Sequence, residues 1–168
     1  MATSMYQASA PAFLQMLSSL SAILDKAEAY AAERKIDPAV LLGWRLAPDM
    51  FALTSQVQIA TDHAKGFCAR LAGVEVPKYP DDETTFADLR ARIATTIDFV
   101  RGFEPSDIDG SEERDITLTA GTRELRFKGQ QYLVHFVLPN FYFHVTTAYA
   151  ILRHCGVPIG KRDYMGAM

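Results

Sequence analysis

Four stretches of this chain repeat apolar residues at alternating steps of three and four. In the second, Met50, Leu53, Val57, Ala60, Ala64, Phe67 and Leu71 hold that alternation throughout. A half-buried strand hides every second residue, so this spacing specifies a helix with one apolar face. Such faces are buried by packing helix on helix. The spacing predicts long helices over 10–33, 48–71, 85–103 and 130–154. Phe13, Leu17, Leu20, Leu24, Ala27 and Ala31 form the stripe of the first. Phe86, Leu89, Ile93, Ile97 and Val100 form that of the third.

Proline and glycine punctuate these helices. Pro11 suits a first turn, where its missing N–H has no partner to lose. Asp37 caps a short turn that starts at Pro38. Gly73 is a stop signal, and Thr85 with Asp88 forms a capping box with Asp in place of Glu. Pro139 lies inside the fourth helix and should kink or divide it. Gly156 and Pro158 end that helix. The tail after them has no clear regularity.

Residues 73–83, GVEVPKYPDDE, form a linker with two prolines. At roughly 3.3–3.6 Å per residue, an extended linker of this length can recross a helix roughly 30 Å long. The second and third helices can therefore run parallel, joined by a crossover. Residues 104–129 are polar and turn-rich. Ile116, Leu118, Leu125 and Phe127 alternate on either side of Ala120-Gly121, which reads as a small β-hairpin or an extended arm and predicts a short two-stranded element near 114–128. The expected fold is all-α: one four-helix bundle domain over 1–168, with that crossover and a small β-hairpin insert before the fourth helix.

A chain of 168 residues with 49% hydrophobic residues can bury one sizeable core. Seventeen Lys and Arg against twenty Asp and Glu, net charge -3, do not build a nucleic-acid surface. No segment has the length and apolarity to span a bilayer, and the N-terminus lacks the pattern of a signal peptide. Cys68 and Cys155 lie inside helical patterns, without CxxC spacing, and read as free thiols of a reduced, cytoplasmic protein. Walker, GxGxxG, HExxH and nucleophile-elbow motifs are absent from the sequence.

The chemistry-bearing residues gather in two helices. Asn140, His144, Thr147, Ile151 and His154 follow one another at steps of 4, 3, 4 and 3, so they line one side of the fourth helix. Gln56 and His63 are seven apart on the second helix and project in nearly the same direction. A neutral imidazole can act as a general base or ligate a metal. The opposing reading is a satisfied polar network inside a bundle. Two histidines fall short of a usual zinc set, and an amide oxygen is a weak zinc ligand. Asp62 could add a carboxylate but points along another helical direction. Arg45 and Asp49 are expected to pair across the turn at Pro48. Tyr132, Phe141, Tyr142 and Phe143 read as core and interface residues.

RLAPDMFALTSQVQIATDHAKGFCARLAG and FVLPNFYFHVTTAYAILRHCGVPIGK resemble a bacterial family of uncharacterised proteins among the DinB/YfiT-like four-helix bundles. The resemblance covers nearly the whole chain. It implies the crossover bundle. It also implies a divalent metal such as zinc or nickel, held by one histidine from the second helix and an H-x-x-x-H pair farther on. His144 resembles the second member of that pair, and Asn140 stands where the first would be. Gln56 or His63 resembles the early histidine. The metal candidates are therefore His63 and His144, and the candidate pocket is His63, Asn140, His144 and Gln56. Some relatives are thiol transferases or hydrolases, and dimerisation recurs among them.

Two functions compete at this point. One is a small-molecule pocket with divergent metal-dependent hydrolase or thiol-transferase activity. The other is a non-catalytic homodimeric helical scaffold or binding protein, suggested by the aromatic fourth helix.

Overall fold

In the computed structural model, which describes residues 3–166, proline and glycine delimit the helices much as expected. Helix α1 spans Ala10–Arg34. The short α2, Pro38–Leu42, is capped by the Asp37 side chain, which accepts from the Ala39 amide. Helix α3 spans Leu53–Ala72 and ends at Gly73, whose left-handed φ of 74° closes the last turn. Helix α4 spans Phe86–Arg101 and carries the Thr85/Asp88 capping box. A single turn, α5, covers Pro105–Ile108.

The second long helix starts at Leu53 rather than 48. Pro48 belongs to a turn in which the Met50 amide donates to the Ala47 carbonyl. Arg45 donates to the Pro48 carbonyl at 3.4 Å, which replaces the expected pairing with Asp49. The Leu53 amide then donates to the Trp44 carbonyl and closes the loop.

The hairpin lies where the period-two pattern placed it. Strands β1, Asp115–Ala120, and β2, Arg123–Lys128, are antiparallel, with Ile116 opposite Phe127 and Leu118 opposite Leu125. Gly129 returns the chain to the helices. A Cβ there would collide with the Ser111 carbonyl, so only glycine fits.

The fourth helix comes in three pieces. A turn, α6, spans Gly129–Gln131; a π-helical segment spans Tyr132–Val137; and α7 spans Leu138–His154. The π segment leads directly into Pro139. Its wider i→i+5 bonding makes room for a ring that lacks an N–H. The anticipated interruption thus takes the form of a π bulge. The tail, read as irregular, contains a one-turn helix, α8, Lys161–Met165. Asp163 accepts from the Gly160 amide and pairs with Lys26 of α1 at 2.5 Å. One turn is too short to show a period in sequence.

The core joins the four long helices. Phe13 of α1 meets Phe67 of α3 at 5.6 Å and Phe141 of α7 at 4.8 Å, and all three rings are buried. At the other end of α1, the Tyr30 hydroxyl reaches the Cys155 carbonyl. Beyond α5, Asp109 accepts from the Tyr6 amide, and Arg114 donates to the Leu71 carbonyl. The segment that follows α5 therefore lies beside the start of α1 and the end of α3.

Arg92 fastens the linker to α3 and α4. Its side chain is 2% exposed. It donates to Thr61 at 2.8 Å and to the Pro80 carbonyl at 3.1 Å. It pairs with Asp62 at 2.9 Å, Asp81 at 3.0 Å and Glu83 at 2.9 Å. The Tyr79 ring lies against both Arg92 and Lys65.

Candidate functional site

Gln56, His63 and Arg70 stand seven residues apart on α3, so two helical turns separate each from the next and all face one way. The segments opposite are α7 and its π-helical lead. Gln56 bonds to His144. His63 lies against His144 and Phe136. Arg70 donates to the Tyr132 hydroxyl at 3.0 Å. The residue numbers fall along α7 as they rise along α3, so these two elements are antiparallel.

The Gln56 side chain is buried, and both ends of its amide are engaged. Its Nε2 donates to the Phe51 carbonyl at 3.0 Å, which turns Oε1 toward His144 Nδ1 at 2.7 Å. A carbonyl oxygen only accepts, so Nδ1 must carry the hydrogen. In neutral His144 the lone pair then sits on Nε2. Burial holds the His144 pKa below its ordinary value. The His63 ring lies 6.0 Å from the His144 ring at 17° between planes. Its pKa is pushed down to about 4, first by burial and then by the His144 and Arg70 charges, against the opposing pull of Asp62. His63 is therefore neutral at pH 7, and burial biases His144 toward its neutral form as well.

Asn140 lies one turn before His144 and is half-buried. Its Nδ2 donates at 2.7 Å to the Phe136 carbonyl, inside the π segment. The amide nitrogen thus serves the backbone around Pro139. The packing beside it is aromatic: Phe127 of β2 stands 5.3 Å from Phe136, and Phe136 stacks on Tyr132 at 5.8 Å. The hairpin insert therefore supplies part of the site's surroundings.

Over residues 5–165 the chain matches the family described as Domain of unknown function (DUF1993). It belongs to the DUF1993 family. It is similar to the crystal structure of a DinB family member protein from Shewanella denitrificans. The two are 45% identical, with 97% of this chain and 92% of that chain covered and a TM-score of 0.86. No functionally curated protein matches it.

This DUF1993 chain does not carry the three-histidine set that its resemblance implied. Among the described residues, no group of three or more His, Cys, Asp or Glu side chains could hold a metal ion. His63 and His144 offer two imidazoles. Gln56 Oε1 is occupied by the His144 proton. Asp62, next to His63, pairs instead with Lys65 at 2.6 Å and Arg92 at 2.9 Å. The protein side chains therefore do not fit a resident zinc or nickel centre.

Three of the four candidates named from sequence, Gln56, His63 and His144, meet in one place. Sequence reasoning missed two contributors. The Phe51 carbonyl carries no sequence signal, because any residue offers one. Arg70 does carry one: it extends the Gln56–His63 spacing by another seven residues. Cys68 and Cys155 are free. Burial pushes the Cys68 thiol up to about 12, far from the range of a reactive thiolate.

Proposed function

We propose that this DUF1993 protein binds a small molecule in the groove between α3 and α7 and uses His144 Nε2 as a proton acceptor. The observation that carries this reading is the relay from the Phe51 carbonyl through Gln56 to His144 Nδ1. It selects one tautomer and leaves Nε2 basic. Such an oriented base suits removal of a proton from water or a thiol, the step that a hydrolase and a thiol transferase share. A zinc or nickel ion at this site would have to draw further ligands from the bound molecule or solvent, since the chain offers two imidazoles.

The contacts between helix ends support a DinB-type four-helix bundle, in which the segment from Gly73 to Thr85 crosses over between α3 and α4. Two free thiols agree with a cytoplasmic setting. No described helix is long and apolar enough to cross a membrane.

A small-molecule screen read by the ring resonances of His63 and His144 tests the site. A ligand of this groove moves both rings, and binding weakens at least roughly tenfold in a His144→Ala variant that keeps its fold, the scale of one charged or strongly polar contact. Hits that move neither ring overturn the reading.

A second reading, homodimerisation, rests on a different observation. Trp44, Leu46, Phe51, Tyr142 and Phe143 are exposed. Trp44 lies against His154 at the end of α7, while Phe51 and Phe143 flank the Gln56–His144 pair. Large exposed apolar side chains suit an interface, here with a second copy of the chain.

A further inference from the structure

Three arginines reach into the helix assembly, and two of them have carboxylate partners. Arg90 of α4 pairs with Asp25 and Glu28, and Arg92 pairs with Asp62, Asp81 and Glu83. Arg70 is half-buried too, yet its side-chain partner is the neutral Tyr132 hydroxyl, and no carboxylate among the described residues pairs with it. A guanidinium presents five donors in a planar fork, and one contact to a phenol leaves most of them unused.

The fold makes room for this cation. Gly66 sits within α3, where glycine is a poorer helix former than alanine. A Cβ at Gly66 would lie 2.5 Å from Arg70 Nη1. The glycine thus opens the space in which the guanidinium lies back along its own helix. Arg70 also lines an open cavity of about 480 Å³, together with Lys65, Lys78 and Tyr79. Asp62 is the carboxylate in that lining, and it is committed to Lys65 and Arg92. The cavity therefore presents positive charge. Arg70's charge is also felt at His63, where it helps to hold the imidazole neutral.

We infer that Arg70 is an anion-binding residue and that the molecule taken by this groove carries a carboxylate or phosphate group. The second half of that statement rests on the small-molecule reading of the His144 site; the anion site at Arg70 stands on its own geometry. A guanidinium binds either group through paired, charge-assisted hydrogen bonds. Lys78 adds a second positive charge at the cavity wall. Tyr132, which Arg70 touches, and Phe136 stacked on it offer an aromatic surface toward His63 for an apolar body attached to the acid.

The test is a titration of the full chain with inorganic phosphate and, separately, with acetate, followed by the Arg70 side-chain and His63 ring resonances. Saturable shifts of both groups are expected. In Arg70→Met the binding should weaken by about tenfold or more, the scale of lost hydrogen bonds to a charged group. Arg70→Lys should retain part of it, which separates loss of charge from loss of fold. Arg70 stands two turns of α3, about 10 Å, from His63, so phosphate and acetate report on Arg70 without engaging the base assigned to His144 Nε2. Saturation by one probe alone assigns the acid group to that class. Absence of saturable binding to either probe, or equal binding by Arg70→Met, overturns the inference.

Discussion

Gln56 accepts a hydrogen bond from His144 across the contact between α3 and α7, at 2.7 Å. The amide is held in that orientation from behind by the Phe51 carbonyl. A buried glutamine with both ends engaged acts as a one-way spacer: it can pass on only the polarity its own backbone partner imposes.

The first expectation follows from that pair. Long-range nitrogen–proton correlation spectra should show neutral His144 with its hydrogen on Nδ1. In Gln56→Ala the preference should be lost, and stability should fall by about 1–3 kcal/mol, the cost of leaving a buried donor without its partner. An unchanged tautomer in Gln56→Ala would show that another contact orients the ring.

His63 governs the acid side of the stability profile. Its pKa is about 4 in the folded chain and 6.5 as a reference. Between those values the unfolded chain binds a proton that the folded chain does not, so stability falls as pH drops from 6.5 toward 4. From pH 7.5 to pH 5 the loss from this group should be at most about 2 kcal/mol. The lowered pKa of His144 acts in the same direction. Denaturant unfolding at the two pH values, with His63→Gln for comparison, measures it; the variant should lose much of the slope.

Arg92 carries the linker. Replacing it with Met leaves Glu83, whose side chain is 9% exposed, without its cation. Breaking a buried pair from one side costs about 3–5 kcal/mol. Asp62 and Asp81 are more exposed and should contribute little. Chemical denaturation of Arg92→Met, and of Arg92→Met with Glu83→Gln, should show that the second change restores part of the loss.

Gly66→Ala separates stability from binding. The substitution gains roughly 1 kcal/mol of helix propensity. It also displaces the Arg70 guanidinium, whose flexible end can swing away. The melting temperature should hold or rise while phosphate binding falls toward that of Arg70→Met. A variant that melts lower and binds phosphate normally would contradict the role given to this glycine.

The exposed apolar side chains bear on assembly. Sedimentation across concentration should show a species of twice the 18.6 kDa chain mass. Phe51→Ser with Phe143→Ser should shift it toward the monomer, because these two rings are 61% and 54% exposed in the single chain. A single 18.6 kDa species at all concentrations would reject the dimer.

Much of this molecule was already written in residue order. The helical period located the four long helices because each apolar stripe is a local repeat, readable without knowing its partner. The alternation of Ile116, Leu118, Leu125 and Phe127 likewise marked the hairpin, while its register, Ile116 opposite Phe127 and Leu118 opposite Leu125, came from the structure. Pro139 announced an interruption, because a missing N–H is a property of the residue itself. Local sequence did not show that the interruption is a π segment, that Asn140 turns back to Phe136, or that Asp62 belongs to Arg92 rather than to His63. Those outcomes depend on which groups arrive from elsewhere in the chain. The seven-residue spacing placed Gln56 and His63 on one line. Only the packing of α3 against α7 decided that Gln56 meets His144 Nδ1. A hydrogen bond needs both partners within about 3 Å, and such proximity between residues 88 apart is set by tertiary structure alone.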